Sequence, residues 1–354
     1  MKQSQCLWLA AIALTIAMLG HSGAAIAGDE QQCSSLACTG NSPKVLSHEL
    51  NPLRITPGVV SDSGFTTAGI ELDGGTWDLA VQGGELFAVT ATETRTGAQL
   101  EGAEIVVFYQ GDEYRLAVID YKQVEYWTRT GEYTHLYRLE WRTIVNNETG
   151  RAGDVCEHPL PRDGLNWGNN QHYSFFIAGE RYNIPSVAVE ETGGAASDML
   201  YVACAGSALA KAEMNSYSPN IPPQQGNDWS TSPDDREILL RAYTAGYGYG
   251  ALAAMGDHLE RFTVPGEPLL IEDPQGWMTV DPEQARAVEA VWGPSGLVCL
   301  EEPRRLVEEP DIMDAITPVI PGVPTCSTLH PDIVVIDSDA WRAYGSLRTL
   351  LPYE

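Results

Sequence analysis

Between Thr66 and Glu148 apolar residues fall at alternate positions or in short β-branched and aromatic runs. The clearest are Glu85-Leu-Phe-Ala-Val-Thr-Ala-Thr92, Ala103-Glu-Ile-Val-Val-Phe-Tyr109, Tyr114-Arg-Leu-Ala-Val-Ile119 and Thr134-His-Leu-Tyr-Arg-Leu-Glu-Trp141. A period of two places alternate side chains on one face of a pleated ribbon, and Val, Ile, Tyr and Phe suit that half-buried surface. Gly and Asp separate the runs, as at Gly111-Asp112, so the pattern predicts antiparallel strands and hairpins. Tyr173-Ser-Phe-Phe-Ile177 predicts a further strand.

After Gly193-Gly194 the pattern changes. Leu200-Tyr-Val-Ala203 is a continuous apolar run that suits a buried strand, and Ala205 to Met214 holds strong helix formers. Pro219 to Pro233 reads as a connector. Ser232-Pro233-Asp234-Asp235 then reads as a helix start, with serine at the cap, proline in the first turn and an acid three residues on. Ile238, Leu239, Ala242 and Ala245 share one face, and the helix should weaken at Gly246. Ala287 to Trp292 and Leu297 to Leu300 flank Gly293-Pro-Ser-Gly296, which predicts a hairpin with a type I turn. Gly28 to Pro57 shows no period and reads as a leader with a local loop. Beyond Arg305 lies a Pro- and acid-rich tail with one expected strand, Ile333 to Ile336. The expected fold class is therefore α+β. Antiparallel strands and hairpins fill a β-rich N-terminal half, a few short helices the C-terminal half, and disulfides staple the whole.

The N-terminus changes where this fold is expected to live. Met1-Lys2-Gln3 opens the chain, Leu7 to Leu19 is apolar except for Thr15, and Ala25-Ile26-Ala27 offers a small-residue cleavage site before Gly28. Residues 1–27 thus read as a secretory signal peptide. No later run reaches the ~18 apolar residues of a membrane-spanning helix, so no transmembrane segment is expected in the mature chain. The expected location is the periplasm, the cell surface or the medium.

Charge narrows the partners. The 354-residue chain carries 48 acidic and 21 basic residues, a formal net charge of -27. A surface this acidic lacks the basic footprint that nucleic acid requires and is repelled by anionic lipid. The partner class left open is a protein or carbohydrate ligand. Trp229, Tyr247, Tyr249 and Trp277 are candidates for an aromatic platform, with core packing as the simpler role.

Export removes Cys6 and leaves Cys33, Cys38, Cys156, Cys204, Cys299 and Cys326 as disulfide candidates. An even count in an exported chain reads as bridges, and spacing alone does not choose among the many connectivities. Cys204 with His158 or His172 would be the one conceivable thiol nucleophile and base, but the apolar approach to Cys204 favours a bridge. Only Cys33 and Cys38 lie close together, and no pair among His48, His135, His158, His172, His258 and His330 has metal-ligand spacing, so no metal and no cofactor is expected. Asp337-Ser-Asp339 and Glu308-Glu309 offer oxygens without the spacing of a calcium loop. Asp257, Glu260, Glu272 and Asp273 flank Thr263 to Ile271 and are the candidate acids of a secreted hydrolase, the alternative to a binding or structural role. Gly246, Gly248 and Gly250 lack the completion of a nucleotide loop.

Tyr201-Val-Ala-Cys204 with Ala208-Leu-Ala-Lys211 resembles the Phe-x-Ala-Cys and Ala-x-Ala-Lys-Cys segment of the ADYC domain, a domain of exported bacterial proteins. Gly256-Asp257, Thr263-x-x-Gly266 and Ile271-x-Asp273 resemble its later segment. Glu289-Ala-Val-Trp-Gly-Pro-Ser-Gly-Leu-Val-Cys299 with Arg304-Arg305 resembles its ending, and Gly97-x-x-Leu100-x-Gly102 its beginning. The resemblance spans residues 95–305 and frames the chain as a signal peptide (1–27), a leader with first strands (28–94), the ADYC-like domain and a tail (306–354) holding Cys326. It implies export and carries no reaction with it. The chain departs from the pattern at Ala212, Gly246 and Met255, where the family has cysteines, and Leu252-Ala-Ala-Met255 stands for the naming tetrapeptide. Cys156 is the favoured partner of Cys204.

Overall fold

The computed structural model describes residues 43–126, 129–146, 148–156, 172–183, 188–221, 232–243, 258–264, 267–271, 285–293, 296–301, 322–335, 338, 340–345 and 347–352. Its strands outnumber its helices, so the molecule is mostly β, with helices as a minor layer.

Three two-residue strands come first: β1 (Lys44–Val45), β2 (His48–Glu49) and β3 (Leu53–Arg54). They fall inside the stretch expected to be a loop. Two residues are too few to show a period, yet Val45, Leu50 and Leu53 are buried and fix them. A meander follows, of β4 (Phe65–Leu72), β5 (Gly75–Gln82), β6 (Glu85–Val89), β7 (Thr94–Thr96), β8 (Glu104–Tyr109) and β9 (Asp112–Tyr126). The β8–β9 turn, Gln110-Gly111, has both residues at positive φ, 53° and 94°. That turn twists with the strands, and glycine reaches it without steric cost.

β9 and β10 (Arg129–Val145) make a long hairpin, and β11 (Glu148–Asp154) folds back on the far half of β10. Then come β12 (Tyr173–Ala178), β13 (Glu180–Asn183), β14 (Ala188–Thr192) and β15 (Met199–Cys204). The large sheet runs β3-β15-β12-β10-β9-β8-β4-β5-β6-β7, with β11 paired to β10 and every pairing antiparallel. It curls back on itself, because Gly58 N–H donates to the Thr67 carbonyl at 2.9 Å and the Thr67 hydroxyl donates to the Arg54 carbonyl. β3 and β4 are thereby brought side by side.

The curled sheet encloses one core, with Phe65, Ile70, Ile105, Val107, Leu116 and Val118 inside. β12 and β15 face two cores. Phe176, Leu200 and Val202 look into the curl, while Phe175, Ile177, Met199, Tyr201 and Ala203 look into a second core behind it. A strand covered on both faces needs apolar side chains at every position, which accounts for the unbroken run read from the sequence. Asn51 continues the line of β3 along the edge of β15. Its side chain donates to the Val202 carbonyl at 2.9 Å and accepts from Val202 N–H at 2.8 Å, satisfying backbone groups as a neighbouring strand would.

Helix α1 (Ala208–Met214) starts three residues later than expected, where the Ser207 hydroxyl accepts from Ala210 N–H. All seven of its residues are buried. Helix α2 (Pro233–Tyr243) has the expected cap: Asp235 N–H donates to the Ser232 hydroxyl at 3.2 Å, and Ser232 N–H donates to the Asp235 carboxylate at 3.0 Å. Ile238, Leu239 and Ala242 are buried on its inner face, while Ala245 lies outside the described residues.

A second sheet of five strands has the order β17-β16-β20-β18-β19. It comprises β16 (His258–Val264), β17 (Glu267–Ile271), the expected hairpin β18 (Ala285–Gly293) and β19 (Gly296–Leu300), and β20 (Leu347–Pro352). A short helix, α3 (Cys326–Leu329), precedes β20. The last strand of the chain is thus central, pairing with β16 on one side and β18 on the other. Ile333 to Val335 is not the expected strand. Pro331–Val334 forms a 3-10 turn, started by a proline and capped by His330, whose Nδ1 accepts from Asp332 N–H at 3.2 Å.

Two disulfides close this frame. Cys156 bonds to Cys204, joining the chain leaving β11 to the end of β15, and Cys299 bonds to Cys326, joining β19 to α3. All four cysteines are buried. Cys33 and Cys38 lie outside the described residues.

Candidate functional site

The polar groups worth weighing are those that the sequence buries. Helix α1 brings Lys211 and Glu213 into an otherwise alanine- and leucine-rich turn, and both are fully buried. Glu213 sits in a cage of donors. Its Oε1 accepts from the Tyr126 hydroxyl at 3.0 Å and the Thr134 hydroxyl at 2.8 Å, both from the β9–β10 hairpin. Its Oε2 accepts from Asn220 Nδ2 at 3.3 Å, and Ser218 also hydrogen-bonds the carboxylate. Burial pushes the Glu213 pKa up, and the four donors offset part of that shift. The neighbouring carboxylate and burial also hold the Tyr126 phenol far above its usual range. Sealed from solvent, Glu213 ties the end of α1 to the hairpin.

A second buried cluster links β13 to α2. The Arg236 guanidinium grips Glu180 by two hydrogen bonds, one of them Nε to Oε2 at 3.1 Å, and the Tyr182 hydroxyl donates to the same Oε2 at 2.7 Å. Tyr182 N–H donates to the Tyr201 hydroxyl at 3.1 Å, and the two rings meet edge to face. Burial raises both phenols, Tyr201 to about 12. One residue further along α2, Glu237 accepts from Val189 N–H of β14.

The third cluster alone stays in reach of solvent, at the seam where β6 lies on the β9–β10 hairpin. His135 Nδ1 is 2.8 Å from the Tyr121 hydroxyl and 3.9 Å from Glu85 Oε1, with the His135 side chain 15% and the Glu85 side chain 25% exposed. Burial holds the imidazole below its ordinary pKa, against the pull of Glu85. The phenol and the carboxylate both approach Nδ1, the first within hydrogen-bond reach and the second beyond it, so the imidazole can take up a proton with a carboxylate nearby. This seam is the candidate site that the side chains support.

The residues singled out by sequence fare differently. Cys204 is bonded to Cys156 and offers no thiolate. His172 lies beside Asp154, its Nδ1 3.3 Å from Oδ2, and His158 lies outside the described residues. Of the four candidate hydrolase acids, Glu260 is in β16 opposite Leu270 and Arg348, while Asp257, Glu272 and Asp273 lie outside the described residues. So do Glu308, Glu309, Asp337, Asp339, Trp229, Tyr247, Tyr249 and Trp277. The Ser338 carbonyl accepts from buried Arg348, as do those of Ile333 and Val335, so one arginine of β20 gathers these three carbonyls. Among the described residues no three His, Cys, Asp or Glu side chains are grouped to hold a metal, and no helix is long and apolar enough to cross a membrane. The sequence reading missed Glu213, Glu180 and Arg236. Its one signal was there in Lys211-Ala-Glu213, two charges inside an apolar run.

A family model described as the ADYC domain matches residues 97–306. No curated protein and no solved structure matches the chain.

Proposed function

From the premise that this chain belongs to the ADYC domain family, we propose that it is an exported, acidic binding or structural protein, acting at the cell envelope or outside the cell. The observation that carries the reading is the pair of buried disulfides, Cys156–Cys204 and Cys299–Cys326. Such bridges form and persist in oxidising compartments, and the apolar run with a small-residue cleavage site at residues 1–27 supplies a route there. The frame is stapled where its sheets meet their loops, which suits a chain that must keep its shape without cellular chaperones. The formal net charge of -27 keeps copies apart and disfavours anionic partners, leaving a protein or carbohydrate ligand as the class to be bound.

The test expresses the full chain in a bacterial host with an oxidising periplasm. Mature protein starting at Gly28, with no free thiol on Cys156, Cys204, Cys299 or Cys326 after denaturation, is the expected result. An intact Met1 on cytosolic protein with reduced cysteines refutes export. Hydrolysis of a glycoside panel that disappears in a chain carrying D257N, E260Q, E272Q and D273N replaces the binding role with the hydrolase.

A further inference from the structure

The β5–β6 hairpin ends in a tip, Gln82 to Leu86, that lies against the β9–β10 hairpin between two titratable clusters. On one side is Gly84, where a Cβ would come within 3.2 Å of Asn220 Nδ2 and 3.6 Å of the Thr134 hydroxyl, both donors to Glu213. On the other side Glu85 faces His135 and Tyr121. Leu86 N–H donates to the Tyr137 hydroxyl at 2.9 Å, and the Thr96 hydroxyl donates to the Leu86 carbonyl at 2.9 Å. Gly97 completes the seam, since a Cβ there would stand 3.2 Å from the Tyr121 ring.

We propose that His135 is an acid-operated latch, which holds the β5–β6 tip on the β9–β10 hairpin while neutral and loosens it when protonated. The 2.8 Å contact of a mostly buried imidazole with the Tyr121 hydroxyl is the basis of the latch. In the latched state the Tyr121 hydroxyl donates to His135 Nδ1 at 2.8 Å and the imidazole proton sits on Nε2, an assignment that belongs to the proposal and is tested with it. A proton arriving at Nδ1 sets two donors against each other at 2.8 Å. The Tyr121 hydroxyl must then turn away, and an imidazolium is left in a mostly buried seam. The groups facing it are Glu85 from β6, Tyr121 from β9 and Tyr137 from its own strand, with Glu213 behind Thr134 on the opposite face. Among the described residues Glu85 is the acid that acts on His135, and at 3.9 Å it makes no hydrogen bond.

The direction of the shift agrees with the geometry. A folded-state histidine pKa below the unfolded value means that the unfolded chain binds the proton more readily. The stabilisation is therefore complete above the ordinary histidine range and is lost as pH falls through it. The loss concentrates at the tip because Glu85 and the Leu86–Tyr137 bond are its attachments to this seam. An exported protein meets the pH of its surroundings directly, so the latch would report acidification outside the cell.

Hydrogen exchange on the full mature chain, disulfides intact, tests this. Exchange is corrected for intrinsic rates and compared between about pH 7.5 and about pH 5, either side of the histidine range. The expected result is that amides of Glu85 to Val89 exchange several-fold faster at the lower pH relative to those of Phe175 to Ile177 in β12. In H135Q that ratio stays flat. A wild-type ratio that does not move with pH, or β6 and β12 loosening together, overturns the latch. Y121F is the second variant and keeps the histidine. Without the hydroxyl there is nothing for the proton to displace, so the pH dependence shrinks. A Y121F ratio as steep as wild type overturns the hydrogen-bond mechanism.

Discussion

Across β4, β8, β9 and β10 a ladder of charges lies on the outer face of the curled sheet. Arg115 of β9 reaches Glu71 of β4, Glu104 of β8 and its neighbour Glu113, while Arg142 of β10 reaches Glu104 and Glu140. The ladder lies across the outer face of four strands whose inner faces are apolar. In the layer behind, charge goes in. Glu180 and Arg236 are paired with side chains 1% and 8% exposed, and Glu213 has no exposure at all. The outer carboxylates keep part of their water whether or not they pair, so each pair adds little. The inner groups have given up their water, so each depends on the partner it retains. The same residue types are thus ornamental in one region and structural in the other.

Arg236→Ala probes the contrast hardest. It leaves Glu180 and the Tyr182 hydroxyl buried around a missing cation, and the expected loss is about 3–5 kcal/mol in urea unfolding of the oxidised protein. Replacing both partners together, as R236M with E180L, should cost less than R236A alone, since no charge is then stranded. If R236A unfolds at the wild-type midpoint, the distinction between the two regions fails.

The disulfides rank next. The Cys156–Cys204 bridge closes a span of 48 residues and Cys299–Cys326 one of 27. Loop-closure entropy assigns roughly 4 and roughly 3.5 kcal/mol to them. Paired alanine variants, C156A with C204A and C299A with C326A, should therefore lower thermal stability by similar amounts, the first slightly more. A much larger loss for the second pair would mean that the carbonyls gathered by Arg348, and not chain entropy, set the stability of the C-terminal sheet.

This division also explains what could be read from the sequence. The curled sheet follows alternation, so Ala103 to Tyr109 and Tyr114 to Ile119 were visible as strands, though β9 and β10 run well past them. The buried strand at Met199–Cys204 was visible because two cores demand an unbroken apolar run. The cap at Ser232 was visible because its chemistry is local. What stayed hidden is non-local. Nothing near Leu53 announces that it lies against Leu200, and nothing near Leu347 announces a central strand. The seam was hidden for the same reason: Glu85, Tyr121 and His135 come together only once β9 and β10 have paired and the curl of the sheet has brought β6 over them, and each looks like an ordinary strand residue alone.

A gentler probe uses pH. Because burial raises the Glu213 pKa, the folded state holds its proton more tightly than the unfolded chain. Its contribution is most favourable below the ordinary carboxylate range and is lost as pH rises through the elevated value. E213Q keeps a neutral group in the cage at every pH. The melting temperature of E213Q minus that of wild type should therefore climb as pH rises from about 4 to about 7. A difference that falls over that interval would mean that the four donors win over burial, and that the cage was built for a charge.

The smallest effect is expected where the charges are most numerous. Arg115→Ala removes three ion pairs from the outer ladder at once, yet pairs whose carboxylates still reach water contribute about 1 kcal/mol, and salt screens them. With Arg115 gone, Glu71, Glu104 and Glu113 turn to water, and wild type and variant should converge as sodium chloride is raised. The Arg115 side chain is nonetheless only 16% exposed, so its loss removes burial of the stem as well as charge. Arg115→Met separates the two contributions. If R115M is as stable as wild type at low salt, the stem matters and the charge does not. If R115M loses as much as R236A, the outer ladder is as structural as the buried pair, and the contrast between the two regions collapses.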